Sequence, residues 1–109
     1  MSRNPVAELS KFFVVGINYK KTDTRTRGSF AIGSSQYTRI LENAPAYGVQ
    51  DLFVLSTCNR SEIYGIAESA QQLIRLFCSE TEGTAELFHE LAYSRQGLNA
   101  IHHLFDVAA

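Results

Sequence analysis

The chain is predicted to fold as an α+β sandwich, and two observations carry that expectation. Short runs rich in β-branched and aromatic residues alternate with segments whose apolar residues recur at helical spacing. Their order along the 109 residues is strand, helix, strand, strand, helix, strand, with a further helix at the end. This is the succession of the ferredoxin-like split βαβ sandwich, in which helices pack on one face of an antiparallel sheet. The C-terminal helix is an addition to that core.

Taken in order, residues 1–10 read as a loose leader, and the domain begins at Lys11. The run Phe12-Phe13-Val14-Val15-Gly16-Ile17-Asn18-Tyr19 is the first strand. Lys20 to Gly33, crowded with Thr, Arg, Lys and Gly, is a long polar loop. Ser34 or Ser35 caps the first helix, marked by Tyr37, Ile40, Leu41 and Ala44 and ended by Pro45 and Gly48. The second strand runs from about Asp51 to Ser56, and Glu62 to Ala67 alternates as a half-buried third strand should. Ser69 and Gln72 stand at capping-box spacing before Leu73, Leu76 and Phe77, with Gly83 as the stop. Thr84 to Tyr93 is ambiguous: a helical turn to Phe88, then a short fourth strand over Glu90 to Ser94. After Gly97 the stripe Leu98, Ile101, Leu104, Phe105 and Ala108 marks the last helix. The chain stops inside that helix without a cap, which suggests a piece of something longer.

Composition fits one ordered domain, with 45% hydrophobic residues and a net charge of −1. Such a balance gives no long-range field of the kind that advertises nucleic-acid binding. There is no signal peptide and no apolar run of membrane length, so Cys58 and Cys78 read as reduced thiols in a cytoplasmic protein.

The most informative stretch is Ser56-Thr57-Cys58-Asn59-Arg60-Ser61-Glu62-Ile63-Tyr64, which follows the apolar strand directly. It sets a thiol, a hydroxyl, an amide and a guanidinium side by side where a rigid strand gives way to a connection. Cysteine is a strong nucleophile once its thiolate is populated, and Arg60 can supply positive charge if the turn folds back. The alternative for Cys58 is a small buried hydrophobe, the ordinary fate of a free cysteine. Cys78, beside Leu76 and Phe77 in a helix, reads as packing. His89, His102 and His103 are the imidazoles. Helical geometry puts His103 nearly opposite the stripe of Leu98, Ile101 and Phe105. It is therefore either exposed or aimed at a second surface. No histidine pair has ligand spacing with a third donor, so no metal site is expected.

The stretch Ser56 to Tyr64 matches the S-T-C-N-R-x-E-x-Y signature of glutamyl-tRNA reductase, which the chain resembles over nearly its whole length. Gly16-Ile17-Asn18-Tyr19-Lys20-Lys21-Thr22 is similar to that family's opening strand, and His103-Leu104-Phe105-Asp106-Val107-Ala108 to its final helix. The resemblance implies that Cys58 attacks the ester between glutamate and its tRNA, that a thioester forms, and that NADPH reduces it to glutamate-1-semialdehyde. This is the first step of the five-carbon route to tetrapyrroles. It implies Thr57, Cys58, Asn59 and Arg60 as the glutamyl-binding segment and His103, rather than its neighbour His102, as a polarising or proton-handling partner. The same resemblance places this domain before separate NADPH-binding and dimerisation domains. NADPH would be held outside this chain, no glycine-rich dinucleotide fingerprint being present, and the parent would be a homodimer.

The chain departs from the family pattern at Tyr19, where a histidine is usual, at Asp23-Thr24 in place of Ala-Pro, and at Arg27-Gly28 in place of an Arg-Glu pair. Lys20, Lys21, Arg25 and Arg27 make that loop basic and are the local candidates for touching the tRNA acceptor end. Two other readings compete: a non-catalytic module that binds a ligand or partner, in which Cys58 is inert, and a disulfide role for the two cysteines.

Overall fold

In the computed structural model, residues 9–19 and 28–108 are described. The leader to residue 8 and the basic stretch 20–27, with the Asp23-Thr24 departure, lie outside the described residues. Among the described residues, four strands and four helices have both ends defined: β1 Phe12–Asn18, α1 Ser34–Asn43, β2 Gln50–Ser56, β3 Arg60–Ile66, α2 Ala70–Ser79, α3 Ala85–Leu91, β4 Tyr93–Gln96 and α4 Leu98–Ala108. A short 3-10 helix, Ala44–Tyr47, separates α1 from β2. The strands form one sheet in the order β2-β3-β1-β4, and every neighbouring pair is antiparallel. The protein is thus α+β with a four-stranded antiparallel sheet.

Strand periodicity assigns the two faces. Phe13, Val15 and Ile17 of β1 and Ile63 of β3 point to the main core, where Ile40 of α1, Leu73, Leu76 and Phe77 of α2 and Phe88 of α3 meet them. Val14 and Tyr64 point the other way and are covered by Ala100 and Leu104 of α4. The helices therefore do not all lie on one face: the added C-terminal helix closes the opposite one.

Most predicted elements stand within a residue or two of where patterning put them. The departures have physical causes. Gly33, not Ser34 or Ser35, is the N-cap of α1, and Gln36 folds back so that its Oε1 accepts the Gly33 N–H at 3.1 Å. In α2 the expected box forms, with Gln72 Oε1 accepting the Ser69 N–H at 3.1 Å. The end of the expected polar loop is neither irregular nor exposed: residues 28–30 are helical, Phe30 and Ile32 are buried, and Phe30 packs edge-on against Phe88 with ring centroids 5.6 Å apart. Gly83 does not stop α2, which ends at Ser79. Its role is to let the Phe30 ring lie on the backbone, since a Cβ there would fall 2.0 Å from that ring. The fourth strand lies at Tyr93–Gln96, two to three residues later than expected, because α3 runs on to Leu91.

The last helix holds the largest correction. Leu98 and Phe105, placed on its core stripe by sequence, are 60% and 68% exposed. Ala100 is fully buried and His103 and Leu104 half-buried, so the helix turns its histidine face to the sheet. A small residue at position 100 brings the helix close to Val14 and Tyr64, and that close approach sets its rotation.

Candidate functional site

The signature residues occupy the β2–β3 hairpin. Ser56 pairs with Ser61, and the Thr57 N–H donates to the Arg60 carbonyl at 2.8 Å. Tight two-residue hairpins usually need left-handed residues at the tip. Neither Cys58 nor Asn59 has positive φ here. Instead the Thr57 hydroxyl oxygen accepts the N–H groups of Asn59 at 3.1 Å and Arg60 at 3.2 Å, doing the work of a turn carbonyl. From the other side, the Tyr19 N–H donates to the Asn59 carbonyl at 2.7 Å. The tip is thus held at both ends and presents Cys58, a free thiol, to solvent.

Tyr19, at the position where the sequence departs from the resembling family, is buried in the main core. Its hydroxyl pairs with Ser61 Oγ at 2.6 Å, and Ser61 in turn lies 3.4 Å from Ser56 Oγ. The substitution therefore supports the hairpin from beneath.

Residues 60, 62 and 64 share the other face of β3 by simple alternation. Glu62 is fully buried there, yet each carboxylate oxygen is satisfied. Tyr64 donates its hydroxyl to Oε1 at 3.0 Å, and Tyr93 of β4 donates to Oε2. His103 Nε2 lies 2.5 Å from Oε2, and Arg60 Nη1 stands 4.0 Å away. Burial first, then the Glu62 charge, raises the Tyr64 phenol well above its ordinary value; burial, then its hydrogen bond to Glu62, does the same for Tyr93. Both phenols therefore stay protonated as donors. His103 thus turns Nε2 to the carboxylate, which leaves Nδ1 as the ring nitrogen not engaged by Glu62.

Gly16 makes this arrangement possible. It pairs with Glu62 on one side and Tyr93 on the other. A Cβ at Gly16 would sit 2.7 Å from Glu62 Cγ and 2.8 Å from the Ser61 carbonyl. With no side chain on β1, the glutamate can lie across that strand and reach β4 and α4.

Beside the cluster opens a cleft of about 450 Å³, lined by Asn18, Arg60, Glu90, Leu91, Tyr93, Arg95 and His103. The structure thus brings together Arg60 and His103, two of the residues expected from sequence. Thr57, Cys58 and Asn59 stand at the exposed hairpin tip, outside the cleft lining. Among the described residues no hydrogen bond joins Cys58 to His103. His102 is exposed, and so is His89. Glu62 and Tyr93 were missed by sequence reasoning. An acid two residues after Arg60 and two before Tyr64 was the available signal for Glu62, because all three must share a face. Nothing in the sequence pointed to Tyr93. Cys78 is half-buried in α2, and burial, with Glu86 second, pushes its thiol up to about 11. Among the described residues no group of three or more His, Cys, Asp or Glu side chains is placed to hold a metal.

Fold and site together define a small α+β domain that presents a hairpin thiol and, beside it, a cleft whose wall includes a half-buried histidine held by a buried glutamate. The chain belongs to the glutamyl-tRNA reductase N-terminal domain family: the family model described as "Glutamyl-tRNAGlu reductase, N-terminal domain" matches residues 15–109. It is 42% identical over 107 residues to the glutamyl-tRNA reductase of Flavobacterium psychrophilum, covering 98% of this chain and 26% of that protein. With the glutamyl-tRNA reductase of Christiangramia forsetii it shares 44% identity over 96 residues, 88% of this chain and 23% of that one. The chain therefore spans about a quarter of the length of these relatives. Among solved structures, the glutamyl-tRNA reductase from Methanopyrus kandleri aligns with a TM-score of 0.64 at 21% identity, over 91% of this chain and 22% of that chain. That likeness speaks for the fold.

Proposed function

We propose that this chain is the thiol acyl-transfer domain of a glutamyl-tRNA reductase, acting at the entry to tetrapyrrole biosynthesis. The observation that carries the reading is the Thr57-closed hairpin, which exposes Cys58 at its tip while Arg60 of the same hairpin lines a cleft with His103. The sheet order β2-β3-β1-β4 supports reading the scaffold as the ferredoxin-like split βαβ sandwich.

The chemistry assigned to these residues is one acyl transfer. Cys58 Sγ attacks the carbonyl of the glutamyl ester at the 3′ end of the tRNA. The C–S bond forms, the C–O bond to the ribose breaks, the thiol proton is lost, and the departing ribose oxygen gains one. A thiol suits an activated ester, and the thioester it gives can still accept hydride, which a carboxylate cannot. Arg60 takes the glutamyl side-chain carboxylate in a fork that lysine does not reproduce. His103, held by Glu62 through Nε2, uses Nδ1 to handle a proton or polarise the carbonyl once substrate lies between it and Cys58. Thr57 and Asn59 hold the tip that presents the thiol to the substrate.

The described residues do not fit NADPH. Dinucleotide sites of the usual kind are built on parallel βαβ units with a glycine-rich turn, and every strand pair here is antiparallel. Reduction of the thioester to glutamate-1-semialdehyde is therefore assigned to NADPH held by residues outside this chain, in a parent that is a cytoplasmic homodimer. No helix among the described residues is long and apolar enough to cross a membrane.

The test is mass spectrometry of the chain after incubation with glutamyl-tRNA, beside Cys58→Ser. A glutamyl adduct on Cys58, or ester cleavage that vanishes in the variant, is the expected result. Neither signal would point to a ligand-binding module with an inert thiol.

A further inference from the structure

One wall of the cleft has no part in the chemistry above. Glu90, near the C-terminal end of α3, is exposed and lines the cleft with Arg60 and His103. It is the one carboxylate in that lining among the described residues. The Glu62 carboxylate behind it is occupied by two phenols and an imidazole, whereas Glu90 forms no ion pair among the described residues. The nearby guanidinium of Arg95 does not take it, lying instead over the Tyr93 ring at 5.7 Å and on the Ser94 carbonyl at 2.8 Å. Nor does helix stability explain an acid there, because negative charge in the last turn opposes the helix dipole.

We propose that Glu90 is a specificity-determining residue that holds the α-ammonium group of the glutamyl substrate while Arg60 holds its side-chain carboxylate. The inference rests on reading the cleft as the glutamyl site and deepens it. A glutamyl ester carries two opposite charges: an ammonium on the carbon next to the reacting carbonyl, and a carboxylate at the far end of the side chain. The cleft offers groups of both complementary signs on separate elements: Glu90 at the end of α3 is its one carboxylate among the described residues, and of its two guanidinium groups Arg60 stands at the start of β3 while Arg95 is engaged by the Tyr93 ring and the Ser94 carbonyl. Guanidinium alone would accept any acyl group ending in a carboxylate. Adding Glu90 fixes which end of the substrate is presented to the Cys58 thiol and rejects acyl groups whose amine is blocked and uncharged.

The experiment follows Cys58 acylation by mass spectrometry in single turnover, with glutamyl-tRNA and with N-acetylglutamyl-tRNA, in the native chain, Glu90→Gln and Glu90→Asp. The native chain should prefer the free-amine substrate. Glu90→Gln should lower that preference about three- to tenfold, as expected for one partly exposed charge pair, and Glu90→Asp should retain part of it. An equal change on both substrates, or none on either, would overturn the role of Glu90 while leaving the glutamyl site standing. Absence of Cys58 acylation by either substrate in the native chain would overturn the glutamyl-site reading, and this inference with it.

Discussion

His103 on α4 and Glu62 on β3 meet at 2.5 Å beneath the cleft, and this contact ties the C-terminal helix to the chemistry of the sheet. The carboxylate has no exposure, so its oxygens are satisfied by protein partners and not by water. If the pair acts as a unit, its members are not independent. His103→Asn is expected to slow Cys58 acylation about a hundredfold, and Glu62→Gln about tenfold through loss of the charge-assisted bond that sets the ring. The double variant should be little slower than His103→Asn alone, a non-additivity that a double-mutant cycle on single-turnover rates would show. Strict additivity would mean that Glu62 acts elsewhere.

Gly16 faces the same carboxylate from β1. Gly16→Ala would set a methyl 2.7 Å from Glu62 Cγ and 2.8 Å from the Ser61 carbonyl, and the carbonyl belongs to backbone that cannot swing away. The variant is expected to lose about 1–3 kcal/mol of stability by overpacking, read from urea unfolding. It should also weaken the Glu62–His103 contact, which the NMR chemical shifts of the His103 ring would report, with the rings of His89 and His102 unmoved. A variant as stable as the native chain would show that the sheet opens more easily here than its register implies.

Patterning found the strands and helices because each buries one periodic face, and Val15, Ile17 and Ile63 or Leu73, Leu76 and Phe77 declare theirs openly. It failed where a residue's partner lay far along the chain. Phe30 looked like part of a polar loop because the Gly83 backbone that receives it is more than fifty residues away. The site divided in the same manner. Cys58 and Arg60 were legible from a local motif, but Glu62 looked like the polar half of an alternating strand. Only the pairing of Gly16 with both Glu62 and Tyr93 reveals why an acid can be buried there.

The two thiols should separate cleanly by pH. Burial and Glu86 raise Cys78 from 9.0 to about 11, so the folded state keeps its proton where an unfolded chain would have lost it. That preference contributes stability in full below the unfolded value and loses it as pH rises through about 11. Iodoacetamide should therefore modify exposed Cys58 first at every pH from neutral to about 10, with Cys78 lagging until the thiol ionises or the fold opens. Peptide mapping of the alkylated chain reads both. Equal rates at the two cysteines near neutral pH would mean that α2 does not shield Cys78.

The rotation of α4 gives the sharpest contrast between what the sequence stripe and the structure require. If Leu98 and Phe105 formed the core face, truncating either would cost several kcal/mol, about 3–5 for a buried phenylalanine. They are instead 60% and 68% exposed. Phe105→Ser is therefore expected to change stability by no more than about 0.5 kcal/mol. Ala100, fully buried against Val14 and Tyr64, behaves oppositely. Ala100→Leu must push the helix off the sheet, at a cost of about 1–3 kcal/mol. Because His103 lies one turn along the same face, that push should also lengthen its contact with Glu62 and slow acylation of Cys58. Urea unfolding of the two variants, with single-turnover acylation of each, decides the matter. A destabilised Phe105→Ser beside an untroubled Ala100→Leu would return the helix to the orientation its apolar stripe suggests, and would take His103 away from the cleft.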